Sequence, residues 1–238
     1  MSIHWILFDL DGTLLPMDQD EFVKCYFKEL AKRLAPHGFE PEALVKSIWA
    51  GTGAMVKNDG HAKNLDVFWE VFDGIYGQKS LEARPVIDDF YENHFDKAQV
   101  SCGFNPEAKK AIDEIKAMGF QVALTTNPIF PAVATRKRIG WAGLTPDDFA
   151  YYTTYENSCH CKPNPDYYLD VCRELGISPE ECMMVGNDVG EDMIPTTKMG
   201  MKAFLLTDCL INKTGEDIDK YPHGSFAELL DYVKMCKE

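Results

Sequence analysis

Apolar positions recur along this chain in two distinct periods. Residues 3–8 (IHWILF) are a short β-prone run ending at Asp9, the pattern of a buried strand that feeds a tight turn. From Asp18 to Leu34 the period becomes helical, with Phe22, Val23, Tyr26, Phe27, Leu30 and Leu34 on one side. Asp18 is placed to cap that helix, and Pro36 and Gly38 to stop it. A second helix is predicted over 41–49, followed by a loop or broken helix across GTGAMVKNDG (51–60). Further helices are predicted over 65–76 and 85–96, so the block 15–100 carries helix signals and no convincing strand.

Beyond residue 105 the two periods alternate. A helix over 106–118 closed by Gly119 precedes a strand over 120–126, and a helix over 131–139 closed by Gly140 precedes a short strand over 149–154. A helix over 166–175 closed by Gly176 leads to a strand over 182–185 that runs into Gly186; a strand over 202–206 and a closing helix over 225–236 complete the chain. Alternating apolar strands and helices predict an α/β fold, a Rossmann-like parallel sheet with helices on both faces. Residues 1–14 and 101–238 form the expected core, and 15–100 an inserted helical subdomain.

Composition narrows the function. The 238 residues are 45% hydrophobic and 26% charged, ordinary for a soluble globular protein, but the formal net charge is -14. A field of that sign repels nucleic acid and anionic membrane, so neither is an expected partner. It equally opposes an anionic small molecule, which would need strong local positive charge. No apolar run approaches the ~20 residues of a membrane span, and the N-terminus has neither a basic start nor a small-residue cleavage site. A cytoplasmic location is therefore expected. The eight cysteines are too sparse for a disulfide scaffold and read as reduced thiols. Oligomeric state is not written in the sequence.

In open parallel sheets the site lies beyond the carboxyl ends of the strands. The residues there are Asp9 and Asp11, Thr125 to Asn127, the loop 155–163 with Lys162 behind it, and Gly186 to Asp192. Asp9 and Asp11 are two apart at the end of an extended segment, which points both carboxylates the same way. Gly12 then permits a turn whose backbone N–H groups face an anion. Paired carboxylates suit a hard cation with oxygen ligands, Mg²⁺ best of all.

Four segments together resemble the haloacid dehalogenase-like hydrolase superfamily: FDLDGTLL (8–15), ALTTN (123–127), KPNPDYY (162–168) and VGNDVGEDM (185–193). They occur in the family's order across the whole core, and the helical block lies where the family's helical cap lies. The resemblance implies a Mg²⁺-dependent phosphatase acting on a small phosphorylated metabolite through an aspartyl-phosphate. Asp9 would be the nucleophile and Asp11 the general acid and base, with Asp11 also ligating the metal through its backbone carbonyl. Gly12, Thr126, Asn127 and Lys162 would bind the phosphate, and Asp188 and Asp192 would complete the metal site with Asp9 and Asp11. The chain departs from the commonest pattern in carrying Asn187 between Gly186 and Asp188. Either Asp188 or Asn187 can take the ligand position, and Asp188 is preferred because a carboxylate is the better Mg²⁺ ligand.

Other candidates weigh less. Cys159-His160-Cys161 is a compact run without a paired Cys-x-x-Cys elsewhere, so a loop role is expected rather than zinc. Gly51-Thr52-Gly53 lacks the spacing of a dinucleotide turn. Lys57, Asn58, His61 and Lys63 read as a solvated loop, or as a cap loop reaching over the site; Phe68, Trp69 and Phe72 read as the insert's own core. A phosphomutase of the same superfamily is the main alternative activity. A dehalogenase is disfavoured by Asp11, and a non-catalytic phosphate-binding module by the intact Asp9, Asp11, Thr126 and Lys162.

Overall fold

The computed structural model describes residues 2–237. Six parallel strands form one sheet in the order β3-β2-β1-β4-β5-β6: β1 (Trp5–Phe8), β2 (Gln121–Leu124), β3 (Tyr151–Tyr152), β4 (Cys182–Gly186), β5 (Lys202–Leu206) and β6 (His223–Gly224). The order reverses about β1. The register sets Phe8 level with Leu124 on one side and Val185 on the other, so the chain leaves β1, β2 and β4 at one height. The Asp9 amide donates to the Val185 carbonyl at 2.9 Å and the Thr125 amide to the Phe8 carbonyl at 2.7 Å, extending that alignment past the strands.

Alternate strand residues enter opposite layers. Ile6, Phe8, Val122, Leu124 and Val185 meet α5 (Pro106–Ala117) and α9 (Phe226–Lys237) on one face. Leu7, Ala123, Met184 and Leu205 meet Tyr167, Tyr168 and Val171 of α7 (Pro165–Leu175) on the other. The inserted block is helical: α1 (Gln19–Leu34), α2 (Pro41–Val56), α3 (Asn64–Tyr76) and α4 (Lys79–Asn93), with a 3-10 segment Phe95–Ser101 leading back to the core. Asp18 caps α1, its carboxylate accepting from the Glu21 amide at 3.0 Å. Phe68, Trp69 and Phe72 pack together within the insert at centroid separations of 5.3–5.9 Å, Phe68 stacked on Phe72 and Trp69 edge-on to both.

Several expected boundaries are corrected. Residues 51–56 are not a loop but the last turns of α2. Gly51 is there for proximity: a Cβ on it would lie 2.6 Å from the Phe68 ring, so the glycine lets α2 and α3 approach closely. Helix α4 begins at Lys79 rather than 85 and runs through Pro85, because Ala83, Ile87 and Phe90 form one buried stripe that outweighs the lost hydrogen bond. Strand β3 is two residues, not six. Strand β6 and the π-turn Val189–Met193, which precedes α8 (Ile194–Lys198), left no apolar run to read. Helix α6 spans Ala132–Trp141 and so continues past Gly140. Among the described residues no helix is long and apolar enough to cross a membrane.

The two glycines of α2 should respond oppositely to alanine. Gly51→Ala forces the Phe68 ring to move and should cost about 1–3 kcal/mol despite the better helix former. At Gly53 a Cβ would meet nothing within 4 Å, so Gly53→Ala should stabilise by up to ~1 kcal/mol. Urea denaturation of both variants checks the pair.

Candidate active site

The strand ends bring Asp9, Asp11, Thr126, Asn127, Asn187, Asp188 and Asp192 to one cleft, with Lys162 bonded to Asp9 and Asp192 behind it, while residues 155–161 lie elsewhere. Asp9 directly follows β1 and is 7% exposed. Lys162, on the loop before α7, is buried between two carboxylates: its Nζ donates to Asp9 Oδ1 at 2.8 Å and to Asp192 Oδ1 at 2.7 Å. Burial alone would depress the Lys162 ammonium, but Asp192 and Asp9 outweigh it and hold the group protonated well above its usual range. Burial pushes the Asp192 carboxyl upward, and Lys162 opposes that shift. The other Asp192 oxygen accepts from the Asp188 amide at 3.1 Å. Gly186 makes room for this carboxylate, because a Cβ there would lie 2.1 Å from Asp192 Oδ2.

The turn after β1 is fixed by Gly12, at φ +85°, where a Cβ would strike Asn187 Nδ2. Thr13 bridges the two motifs, donating to Asp9 Oδ2 at 3.1 Å and Asn187 Oδ1 at 3.0 Å. Asn187 in turn donates to the Cys209 carbonyl at 2.7 Å, so its amide is committed to positioning the loop. Asp188 caps the π-turn, with Oδ1 accepting from the Gly190 and Glu191 amides at 2.7 and 3.0 Å. Thr126 is buried beneath the cleft and Asn127 stands beside it, its amide donating to Glu191 Oε2 at 3.3 Å.

Asp11 has the least expected partner. Arg138 of α6, fully buried, forms an ion pair with Asp11 Oδ2 and lies over the Phe130 ring at 4.5 Å. Burial raises the Asp11 carboxyl, Arg138 pulls it back, and Asp9 adds to the rise. Its Oδ1 is buried and has no hydrogen-bond partner, while the side chain as a whole is 21% exposed and lines the cleft. Sequence reasoning missed Arg138, Thr13 and Glu191. Arg138 had a signal: it shares the stripe Ala134–Arg138–Trp141 at i, i+4, i+7, a cation on a face that otherwise faces the core.

Asp9, Asp11, Thr126, Asn127, Asn187, Asp188, Glu191 and Asp192 floor a cleft of about 280 Å³. Its roof is Phe22 and Val23 of α1, Trp49 and Val56 of α2, and Ile129 and Phe130 of the loop after β2. Lys57, Asn58, His61 and Lys63 lie elsewhere. Asn58 is buried and donates to Asn64 Oδ1 at 2.8 Å, while Lys63 donates to the Asn157 carbonyl at 2.9 Å, so this loop clamps the insert to the core. Asn64 reaches the Pro128 and His160 carbonyls and the Cys161 sulfur from the same place. In the Cys159–Cys161 run, His160 pairs with Asp170 at 2.7 Å and Cys161 is buried under Asn64, so neighbouring side chains serve separate loop contacts.

The family model for haloacid dehalogenase-like hydrolases matches residues 3–195. The chain belongs to that family. Among curated relatives, this haloacid dehalogenase-like hydrolase is 24% identical over 237 residues to a glyceraldehyde 3-phosphate phosphatase of Methanocaldococcus jannaschii, covering 99% of both chains. It is 29% identical over 237 residues to a phosphoglycolate phosphatase of Vibrio vulnificus, covering 98% of this chain and 96% of the other. Among solved structures, a 2-haloacid dehalogenase of Pseudomonas syringae pv. Tomato superposes with a TM-score of 0.64 at 22% identity, covering 98% of each chain. A phosphatase of Thermococcus onnurineus superposes at 0.58 with 21% identity and the same coverage. The fold is thus shared by two chemistries, and the side chains of this hydrolase must separate them.

Two variants probe the electrostatics. Lys162→Met leaves two buried carboxylates without their cation and should cost ~3–5 kcal/mol at neutral pH. The loss should shrink on acidification, since Asp192, already pushed up by burial, then takes a proton. Glu191 is raised by burial first, with Lys162 opposing and Asp188 and Asp9 adding. A carboxyl raised on folding binds extra protons in the native state, so its contribution to stability falls as pH rises from the unfolded value through the folded one. Glu191→Gln should therefore raise Tm at pH 7.5 in EDTA by about 2–4 °C, with the gap closing near pH 4. Thermal scans across pH check both.

Proposed function

We propose that this hydrolase is a phosphatase that cleaves a small phosphate monoester through an aspartyl-phosphate on Asp9. The observation that carries the reading is the second carboxylate: Asp11 lines the cleft beside Asp9, one oxygen held by Arg138 and the other, Oδ1, buried without a partner. A halide needs no proton on leaving, whereas an alkoxide does, so a carboxylate raised by burial at this point favours ester chemistry over dehalogenation. The phosphatases among the relatives agree with this.

Asp9 attacks phosphorus and the P–O ester bond breaks, the departing alkoxide taking the proton of Asp11. Asp11, now ionised, accepts a proton from water as that water attacks the aspartyl-phosphate, releasing phosphate and free Asp9. Lys162 orients Asp9, and Thr126, Asn127 and the backbone around Gly12 supply donors to the phosphoryl oxygens. For the metal the donor set is all oxygen: Asp9, the Asp11 carbonyl and Asp188, with Asp192 bracing the Asp188 backbone. Among the described residues no three His, Cys, Asp or Glu side chains are grouped so as to hold a metal ion by themselves. Mg²⁺ takes one or two carboxylates and fills its octahedron with water and substrate oxygens. When bound, Mg²⁺ would neutralise the phosphoryl group and align it for in-line attack. The Asn187 amide is already engaged by Thr13 and Cys209, which supports Asp188 as the ligand. A phosphomutase would hold a second phosphate in the cleft, and among the described lining residues none is basic.

Purified protein should hydrolyse p-nitrophenyl phosphate with Mg²⁺ and lose turnover in EDTA. Asp9→Asn should lower kcat by on the order of 10³-fold or more. Acid-quenched reactions with ³²P-labelled p-nitrophenyl phosphate, whose leaving group departs without a proton, should trap label on Asp11→Asn protein and not on Asp9→Asn. Turnover that survives Asp9→Asn would refute the mechanism.

A further inference from the structure

Resting on the phosphatase reading, the cleft walls speak to the part of the substrate that leaves. Behind the catalytic cleft lies a recess of about 70 Å³ that runs up between α1, α2 and α3. It shares Val23, Trp49, Thr52, Ile129 and Phe130 with the cleft, so the two volumes adjoin across these side chains. Its far wall is Leu30, Ile48, Phe68 and Ile87. Its polar atoms are few: the hydroxyls of Tyr26 and Tyr91 bond each other at 2.8 Å, and the rest belong to Thr52, Tyr155 and the indoles of Trp49 and Trp69. At the mouth Trp49 stays 50% exposed and Val56 40%, large apolar groups turned toward entering solute.

The site's cations are spent. Lys162 is enclosed by Asp9 and Asp192, and Arg138 by Asp11, and neither lines the cleft. Across from the apolar roof stand Asp188 and Glu191. A second anionic group on the substrate would thus exchange water for hydrocarbon on one side and carboxylates on the other, with no cation in the lining to balance it. A cationic group would find no carboxylate inside the recess.

We propose that the physiological substrate is the phosphate monoester of an uncharged, apolar alcohol, whose hydrocarbon part lies under Phe22, Trp49 and Phe130 and ends in the recess. At ~30 Å³ for a water-sized group, the recess takes roughly two methylenes beyond those the cleft itself covers. Trp49 and Phe130 are then specificity-determining residues at the shared wall.

The test is calorimetric binding of non-hydrolysable phosphonates to the Mg²⁺-loaded wild-type protein. Methyl-, butyl- and hexylphosphonate should bind with affinity rising about fourfold per methylene until the recess is full. Phosphonoacetate and 4-aminobutylphosphonate, whose ammonium would have to end in the recess, should each bind at least about tenfold more weakly than butylphosphonate, roughly the loss of two buried methylenes. Trp49→Ala should flatten the series to below about twofold per methylene, since it removes the wall over which the chain lies. Thr52→Arg, which sets a cation in the same wall, should reverse the preference toward phosphonoacetate. Either charged phosphonate binding as tightly as butylphosphonate to the wild type, or a series without length dependence, would overturn the proposal. The two readings fail separately: Asp9-dependent turnover with tight phosphonoacetate binding sinks the apolar substrate alone. Length-dependent binding without Asp9-dependent turnover sinks the phosphatase mechanism alone.

Discussion

The site depends on a single buried ammonium. Lys162 gives up its hydration entirely and is held only because Asp9 and Asp192 come within 2.8 Å from two different strand ends. Such an arrangement is stable only as a whole, since removing any one charge strands the others in a low dielectric. Around it the structure spends its unusual residues. Gly12 and Gly186 admit contacts that any side chain would block, and Thr13 ties Asp9 to Asn187 across the gap between motifs. The parallel register that levels Phe8 with Leu124 and Val185 is what lets loops so distant in sequence share one cation.

Much of this was legible before any coordinates, and the reasons are physical. β1, β2, β4 and β5 are buried on both faces, so they appear as unbroken apolar runs, and the chemistry follows each run directly. Asp9, Asp11, Thr126, Lys162, Asp188 and Asp192 could therefore be named from strand ends and a family resemblance. What failed was whatever depends on a partner far along the chain. Gly51 reads as a helix breaker until Phe68 is seen against it. Pro85 reads as a start until the stripe around it is seen to be buried. Glu191 reads as a turn residue, and only the π-turn after β4 aims it at the cleft. Arg138 is the instructive case. Its place on the inner stripe of α6 was visible, but the meaning of a buried cation lies in its partner, and Asp11 is 127 residues away.

The net charge of -14 looks unsuited to an anionic substrate until the charges are located. The cations that matter are buried behind the carboxylates rather than displayed in front of them, so they fix the geometry of Asp9 and Asp11 and do little to attract anions from solution. On the proposed mechanism the phosphoryl group is accepted only together with a hard cation, because the floor presents Asp9, Asp11 and Asp188 as its nearest charges. The roof then acts on what remains of the molecule. An apolar surface set opposite a row of carboxylates rewards hydrocarbon modestly and rejects further negative charge strongly, because the rejected group would lose its water and gain no cation. On the proposed mechanism, specificity in such a cleft comes from exclusion: the floor carries the chemistry, and the helical roof decides which esters can lie against it.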